Sequence, residues 1–444
     1  MLGPFFVYPL FLSLLIAGVM RPWVGLIGFY GWVILEPQWN WRWSIPADFQ
    51  FQKYIAAATL AGWVLTGCKV PPLATSSKLA IACLAGFLLL GFVSATQSID
   101  PKLSEFYMSN MWKIVLMAIL AVVLIDSPKK VWIAIAVCCF AQGYSALRIN
   151  EQYFQDGFSL YAYRPWGTKG DNNLYSNLTL PLIACSIAIC IFTDKRWVRY
   201  LTGSIAILQI HQIMLLQSRG AMLAALGMAA VIAWVMPKNT FTIRSTVIAI
   251  IATLALAGPS VVEEFSSSFQ AKGERDSSAE SRFYLWKAGF QITLDYPLLG
   301  VGPYAGQRLV PEYYEGGLSA STKGLHNLFF DISTGFGLPA AFLYFAFLAM
   351  PWFQMVSLRR RFGGLQNAPP WLGASMLAVI AGLPGYIAGS MFSTGALSES
   401  PYVLASIGLA TASIFAHDNW EEPTDSMSTG EDWDEKGRQP AAHA

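Results

Sequence analysis

Arg219, in Gln217-Ser218-Arg219-Gly220, sits between two apolar stretches with almost no loop around it. Arg282 begins the amphipathic run Ser281-Arg282-Phe283-Tyr284-Leu285-Trp286, and His326 stands in Lys323-Gly324-Leu325-His326-Asn327, at the opening of another apolar stretch. A guanidinium is a planar fork that meets a phosphate with two parallel hydrogen bonds. At a membrane surface, Arg219 and Arg282 could therefore hold an anion such as a lipid-linked phosphate. A helix N-terminus lowers the pKa of a histidine, so His326 would be a neutral imidazole able to take a proton from a hydroxyl. Each residue also has a plainer reading. Arg219 could snorkel to the interface, and a histidine at a helix end could be structural. The other histidines are His211 in mid-span and His417 and His443 at or in the tail, which leaves His326 alone on its face of the membrane and favours chemistry there.

Further polar groups surround these three. The loop Arg164-Pro165-Trp166-Gly167-Thr168-Lys169-Gly170-Asp171-Asn172-Asn173 precedes an apolar stretch directly. Arg164, Lys169, Asn172 and Asn173 suit a sugar or pyrophosphate, although an ordinary polar loop could have that composition. Leu298-Leu299-Gly300-Val301-Gly302-Pro303-Tyr304 is a tight glycine turn. Its lone GxG is weak evidence for phosphate binding. It is either a turn laid against the membrane surface or a substrate contact through Gly302 and Tyr304, with Asn327 beside His326. His211 reads as a buried histidine hydrogen-bonded to a neighbouring helix. Asp331 lies about 140° round the helix from His326, so it does not share its face and reads as a partner for a cation, Arg219 being one candidate.

The elements that must position these groups are membrane helices. Of the 444 residues, 55% are apolar and 13% charged, against about 25% charged in soluble domains. That excludes an ordinary cytosolic enzyme, a nucleic-acid binder and a disordered chain, and makes the lipid bilayer the main partner. The six cysteines lie in or at the ends of apolar stretches, with no CxxC, no Cys/His pairing at metal-ligand spacing and no disulfide framework. No metal or other cofactor is expected. Runs of about 20 apolar residues mark spans. The chain offers 12 or 13, because 4–20 and 22–36 are short and separated only by Arg21-Pro22. The first reads as retained, since no charged n-region or cleavage site precedes it. The expected fold is all-α, a polytopic integral membrane protein.

Cations in short loops set the orientation. Lys129-Lys130, Lys195-Arg196 with Arg199, Lys238 with Arg244, and Arg359-Arg360-Arg361 fall on alternate connections and mark the cytoplasmic face. Segments 37–52, 97–110, 149–173 and 262–324 then lie outside. In the last of these, Phe283, Trp286 and Phe290 share a stripe at helical spacing, in a helix begun by Arg282 and ended at Tyr296-Pro297. That helix could rest at the lipid interface or simply pack on the bundle. Four regions follow: N-terminal spans over 1–150, a core over 151–350 that includes loop 262–324 and a span at 325–350, C-terminal spans over 351–416, and an acidic tail over 417–444 that reads as disordered.

In combination, these segments resemble the O-antigen ligase and polymerase superfamily of bacterial envelope glycosyltransferases. The resemblance rests on Ser218-Arg219-Gly220 before a span, Arg282-Phe283-Tyr284-Leu285-Trp286 leading to Pro297-Leu298-Leu299-Gly300-Val301-Gly302, and His326-Asn327, with Gly167-Thr168 and Asn172-Asn173 upstream. It covers roughly 160–345. The N-terminal part is similar, in hydropathy only, to the O-glycosylation ligase branch associated with exosortase systems. The resemblance implies an enzyme of the bacterial inner membrane whose active site faces the periplasm. It would transfer a glycan, without a metal, from undecaprenyl pyrophosphate to an acceptor hydroxyl, with lipid A–core as the first acceptor to consider. In polymerases the acceptor is another lipid-linked repeat, and in a third branch it is a protein Ser or Thr. Arg219 and Arg282 would hold the diphosphate and His326 would act as base. No DxD-like acidic pair stands in an external loop, which argues against a divalent-metal mechanism. An anion or bicarbonate transporter is the competing class. The lack of a visible internal repeat and of paired ionisable residues deep in the spans speaks against it. A structural envelope component would leave His326 and the arginines unexplained.

Overall fold

The computed structural model of the chain describes residues 3–46, 48–157, 171–256, 277–314 and 324–417. Arg164, Lys169 and the tail 418–444 lie outside the described residues. In hydrocarbon each backbone N–H and C=O must be satisfied within its own segment, so apolar runs become helices. Every regular element among the described residues is helical. In chain order they are α1 (Gly3–Met20), α2 (Pro22–Leu35), α3 (Pro37–Asn40), α4 (Phe51–Leu65), α5 (Thr75–Ala95), α6 (Pro101–Leu124), α7 (Pro128–Asp156), α8 (Asn172–Phe192), α9 (Arg196–Leu215), α10 (Arg219–Val235), α11 (Thr240–Leu256), α12 (Ser277–Asp295), α13 (Val310–Tyr313), α14 (Leu328–Phe336), α15 (Leu338–Arg361), α16 (Pro370–Ser390) and α17 (Glu399–His417). Seven of them (α1, α5, α6, α7, α8, α15 and α16) are long and apolar enough to cross a bilayer, while α2 and α10 are apolar but shorter. The chain is a polytopic all-α membrane protein.

Helix α16 is buried along nearly its whole length, as a helix apolar all round must be. It packs against α8, α10, α15 and α17 and forms the axis of the bundle. The connections separate to two ends. Arg199 lies over Phe241, Arg359 over Trp234 and Arg361 over Phe415, which gathers cation-bearing helix ends at one end. At the other, the Ile99 amide donates to the Val301 carbonyl at 3.0 Å and Arg308 pairs with Asp100 at 2.7 Å. The segments expected outside, 97–110 and 262–324, thus meet each other. Most of 97–110 is helix, because Asp100 caps α6 by accepting from the Leu103 amide and Pro101 occupies a first-turn position where its missing N–H costs nothing.

The span expected at 325–350 is two helices, α14 and α15, broken at Gly337. The cause is local. Pro339 has no N–H to offer the Gly335 carbonyl, and that carbonyl instead accepts from the Gly302 amide at 3.0 Å and the Ser94 hydroxyl at 2.7 Å. The Thr334 carbonyl accepts from the Val301 amide at 2.9 Å, and the Leu338 amide turns to the Pro297 carbonyl at 2.8 Å. The glycine turn therefore satisfies the backbone groups that the helix break frees. Gly337 has φ +87°, and a β-carbon on it would lie 2.1 Å from the Leu298 carbonyl oxygen. No other residue type fits there.

Helix α12 begins at Ser277, so Arg282 lies in its second turn and not at its start; it ends at Asp295, before Tyr296-Pro297 as expected. The stripe of Phe283, Trp286 and Phe290 does not act as one face. Phe283 is 56% and Phe290 55% exposed, and the buried face is Leu285, Ala288 and Ile292, with Leu285 and Ile292 set against Val310 and Leu325. Gly289 lets α12 approach Phe330, and the Thr293 and Ser333 hydroxyls meet at 2.8 Å. The buried aliphatic stripe one position away from the aromatic one decides the docking.

Candidate active site

Arg219 is the first residue of α10, and its setting is built by α8. Ser218 caps α10 by accepting from the Ala221 amide and donates from its own hydroxyl to Asn173 Oδ1 at 2.9 Å. Asn172 Nδ2 donates to the Leu216 carbonyl at 2.7 Å, and Asp171 caps α8 through the Leu174 amide at 2.7 Å. Asn172 and Asn173 thus clamp the turn that carries Arg219. The residue is half-buried at a helix N-terminus, where unpaired amides and the helix dipole favour an anion and disfavour a cation. An anion bound there would be attracted by both the guanidinium and the helix end.

His326 does not open a span. It precedes the cap residue Asn327, in a backbone conformation with φ +47°. Asn327 is buried, and its Oδ1 accepts from the Phe329 and Phe330 amides at 2.9 and 3.2 Å. Its Nδ2 donates to the Met391 carbonyl at 3.1 Å. Met391 and Phe392 belong to the turn between α16 and α17. A β-carbon on Gly220 would lie 2.5 Å from the Phe392 β-carbon, so Phe392 rests directly on the backbone beside Arg219. The Trp286 and Phe392 rings lie 5.7 Å apart, and Trp286 is one helical turn beyond Arg282. One turn therefore touches the immediate neighbour of Arg219, the immediate neighbour of His326, and the residue stacked one turn from Arg282. All three candidate residues are half-buried.

Tyr304 closes another side. Its ring stacks on Tyr107 at 5.5 Å, and Tyr107 also meets Phe336 of α14 at 5.6 Å. Burial, then the nearby carboxylates of Asp331 and Asp171, push the Tyr304 phenol up to about 12. This draws α8, α14 and the glycine turn to one place. Among the described residues Asp331 makes no ion pair with Arg219, and its Oδ2 is buried without a hydrogen-bond partner. The expectation of a cation partner for Asp331 is not met, because α14 is a separate short helix and sets its own orientation.

Gly302 has its amide committed to Gly335 and its position fixed by Ser98, whose hydroxyl would lie 2.1 Å from a β-carbon there. With Asn172, Asn173 and Asn327, it builds the frame of the site. The Met391–Phe392 turn was not legible in the sequence, where it is only a short connection between two spans. The same is true of Asn177, which donates to Ser390 at 2.7 Å and anchors that turn to α8. His211 is 1% exposed and pairs with Asn150 of α7, as expected of a structural histidine.

Residues 204–345 match the family model described as O-antigen ligase. That span contains Ser218-Arg219-Gly220, Arg282, the glycine turn and His326-Asn327. Over these residues the chain is similar to the O-antigen ligase family. No curated protein matches the chain. The matched segment does not build its surroundings alone, because Asn172 and Asn173 precede it and Met391 and Phe392 follow it. The flanking helices complete what the family segment begins.

Proposed function

We propose that the chain transfers a glycan from undecaprenyl pyrophosphate to an acceptor hydroxyl, with lipid A–core as the acceptor, on the periplasmic side of the bacterial inner membrane. The acceptor oxygen attacks the anomeric carbon, the bond from that carbon to the pyrophosphate oxygen breaks, and the leaving diphosphate keeps the electron pair. Arg219 and Arg282 stabilise the charge that builds on the diphosphate. His326 takes the hydroxyl proton, a contribution of about 10²–10⁴-fold for one positioned base. In this reading the arginines do the work that a divalent cation does elsewhere. Arg164 and Lys169 add positive charge for the donor, and Tyr304 faces the sugar.

The observation that carries this reading is the convergence on Met391 and Phe392 of the neighbours of Arg219, Arg282 and His326. Its test is glycan transfer by the purified protein with a polyprenyl-pyrophosphate-linked oligosaccharide and lipid A–core. His326→Ala, Arg219→Ala and Arg282→Ala are each expected to abolish transfer while the protein still inserts. Near-normal transfer by any two of them overturns the assignment of roles. Transfer to a second lipid-linked repeat instead of lipid A–core identifies a polymerase, and transfer to Ser or Thr identifies a protein glycosyltransferase. Anion uptake into liposomes without transfer identifies a transporter.

A further inference from the structure

We propose that Asp331 is a substrate-contacting residue that hydrogen-bonds a hydroxyl of the acceptor glycan. The assignment rests on the transferase reading above and adds to it the group that recognises the acceptor. Two observations on the geometry carry it. Asp331 Oδ2 is buried and has no hydrogen-bond partner among the described residues. A buried polar group without a partner is costly, and such groups are rare enough that each needs a reason. The second is placement. The Asp331 amide donates to the Asn327 carbonyl at 2.9 Å, so Asp331 stands one turn along α14 on the same face as Asn327, whose side chain reaches Met391. Asp331 therefore lies one turn along α14 from the residue that latches Met391. The phenol of Tyr304, which the Asp331 charge helps to push up, is a neighbour able to share the same ligand.

The chemistry selects the ligand. Burial pushes the Asp331 carboxyl well up, and a neutral carboxyl both donates and accepts, as a sugar hydroxyl does. The diphosphate is met by Arg219 and Arg282 in the reading above, which leaves Asp331 to the acceptor. Among the described residues no protein group takes up that oxygen, which leaves it for a ligand that is present only during turnover. A site built to hydrogen-bond a hydroxyl discriminates strongly against ligands that lack it.

The experiment is steady-state transfer by Asp331→Asn and Asp331→Leu, varying a polyprenyl-pyrophosphate-linked oligosaccharide and lipid A–core separately, together with melting of the detergent-solubilised proteins without substrate. Asp331→Leu is expected to raise the acceptor KM about 10-fold, the weight of one hydrogen bond left unmade, and Asp331→Asn less, with the donor KM unchanged in both. The acid limb of the pH profile should remain, since it belongs to His326. The melting temperature of Asp331→Leu should hold or rise, because an uncompensated polar group has been removed. A melting temperature that falls in both variants overturns the proposal by showing a structural partner. A raised donor KM with an unchanged acceptor KM overturns it in favour of a role beside Arg219, and loss of the acid limb overturns it by making Asp331 the base. Wild-type-like kinetics in both variants overturn the acceptor role alone. A wild-type protein that transfers nothing overturns the transferase reading first.

Discussion

The Asn327 side chain ties the start of α14 to the turn after α16, its Nδ2 donating to the Met391 carbonyl at 3.1 Å while its Oδ1 accepts from the amides of Phe329 and Phe330. One residue both caps a helix and latches two distant parts of the chain, and His326 is its immediate neighbour. The two tasks can be separated. Asn327→Asp keeps the cap and places a carboxylate against the Met391 carbonyl, whereas Asn327→Ala loses both. We expect Asn327→Ala to cost about 1 kcal/mol for the cap alone, and both variants to lower kcat for transfer. Thermal melting and kcat on the same preparations check this. If Asn327→Asp turns over like the wild type, the latch does not position His326.

The glycine turn offers a test that needs no substrate. Gly302 has φ +108°, and a β-carbon on it would lie 2.1 Å from Ser98 Oγ. Gly302→Ala should therefore destabilise by roughly 1–3 kcal/mol, through backbone strain and contact together. Replacing Ser98 with Gly in the same protein removes the hydroxyl and β-carbon contacts but leaves the Ser98 Cα at 2.7 Å. It also loses the hydroxyl's bonds to Asp100 and Ser104, so the double variant should recover only part of the loss. The comparison is made by denaturant titration in detergent. Full recovery would mean that the backbone conformation costs nothing.

Much of this arrangement was written in the sequence, and the gaps have physical causes. Apolar runs of membrane length reveal helices because hydrocarbon forbids other spanning structures, and Tyr296-Pro297 marks the end of α12. The Gly337-Leu338-Pro339 break carried a signal that an apolar run conceals, since hydropathy reports where a segment lies and not whether its hydrogen bonds are continuous. Arg219, His326 and Arg282 stood out because charge is rare in such a chain. Met391, Phe392 and Asn177 did not, because their contribution is a contact made between residues far apart in sequence. The side-chain amides of Asn172 and Asn173 hold Leu216 and Ser218, a task that their place in a polar loop does not announce. An amide side chain looks the same in sequence whether it holds a sugar or a turn.

The link between the loops before α6 and after the glycine turn should fail in acid. The Leu103 amide, then the Arg308 guanidinium, hold the Asp100 carboxyl below its ordinary value of 3.8. A carboxyl depressed in the folded state stabilises above its unfolded pKa, and that contribution is lost as pH falls through the lower folded pKa. Melting temperature measured from neutral pH downward should thus fall below about pH 4 in the wild type. Asp100→Asn should start lower at neutral pH and fall less steeply over that window. Parallel curves would assign the acid sensitivity to other groups.

Ser218 and Arg219 separate the frame of the site from its chemistry. The Ser218 hydroxyl donates to Asn173 at 2.9 Å and its oxygen caps α10, so Ser218→Ala should lose about 1–2 kcal/mol and let the turn carrying Arg219 drift. Ser218→Thr keeps the hydroxyl and should keep most of the stability and transfer. Arg219→Lys keeps the charge in an intact frame but replaces a planar fork with a point charge. Its melting temperature should match the wild type while donor KM rises or kcat falls by at least about tenfold, which corresponds to about 1.4 kcal/mol. Measuring all three variants with the same lipid-linked donor distinguishes the causes: a frame defect lowers stability and transfer together, whereas a diphosphate-binding defect lowers transfer alone. If Arg219→Lys transfers normally, simple positive charge is enough at that helix end and the bidentate role assigned to Arg219 is wrong.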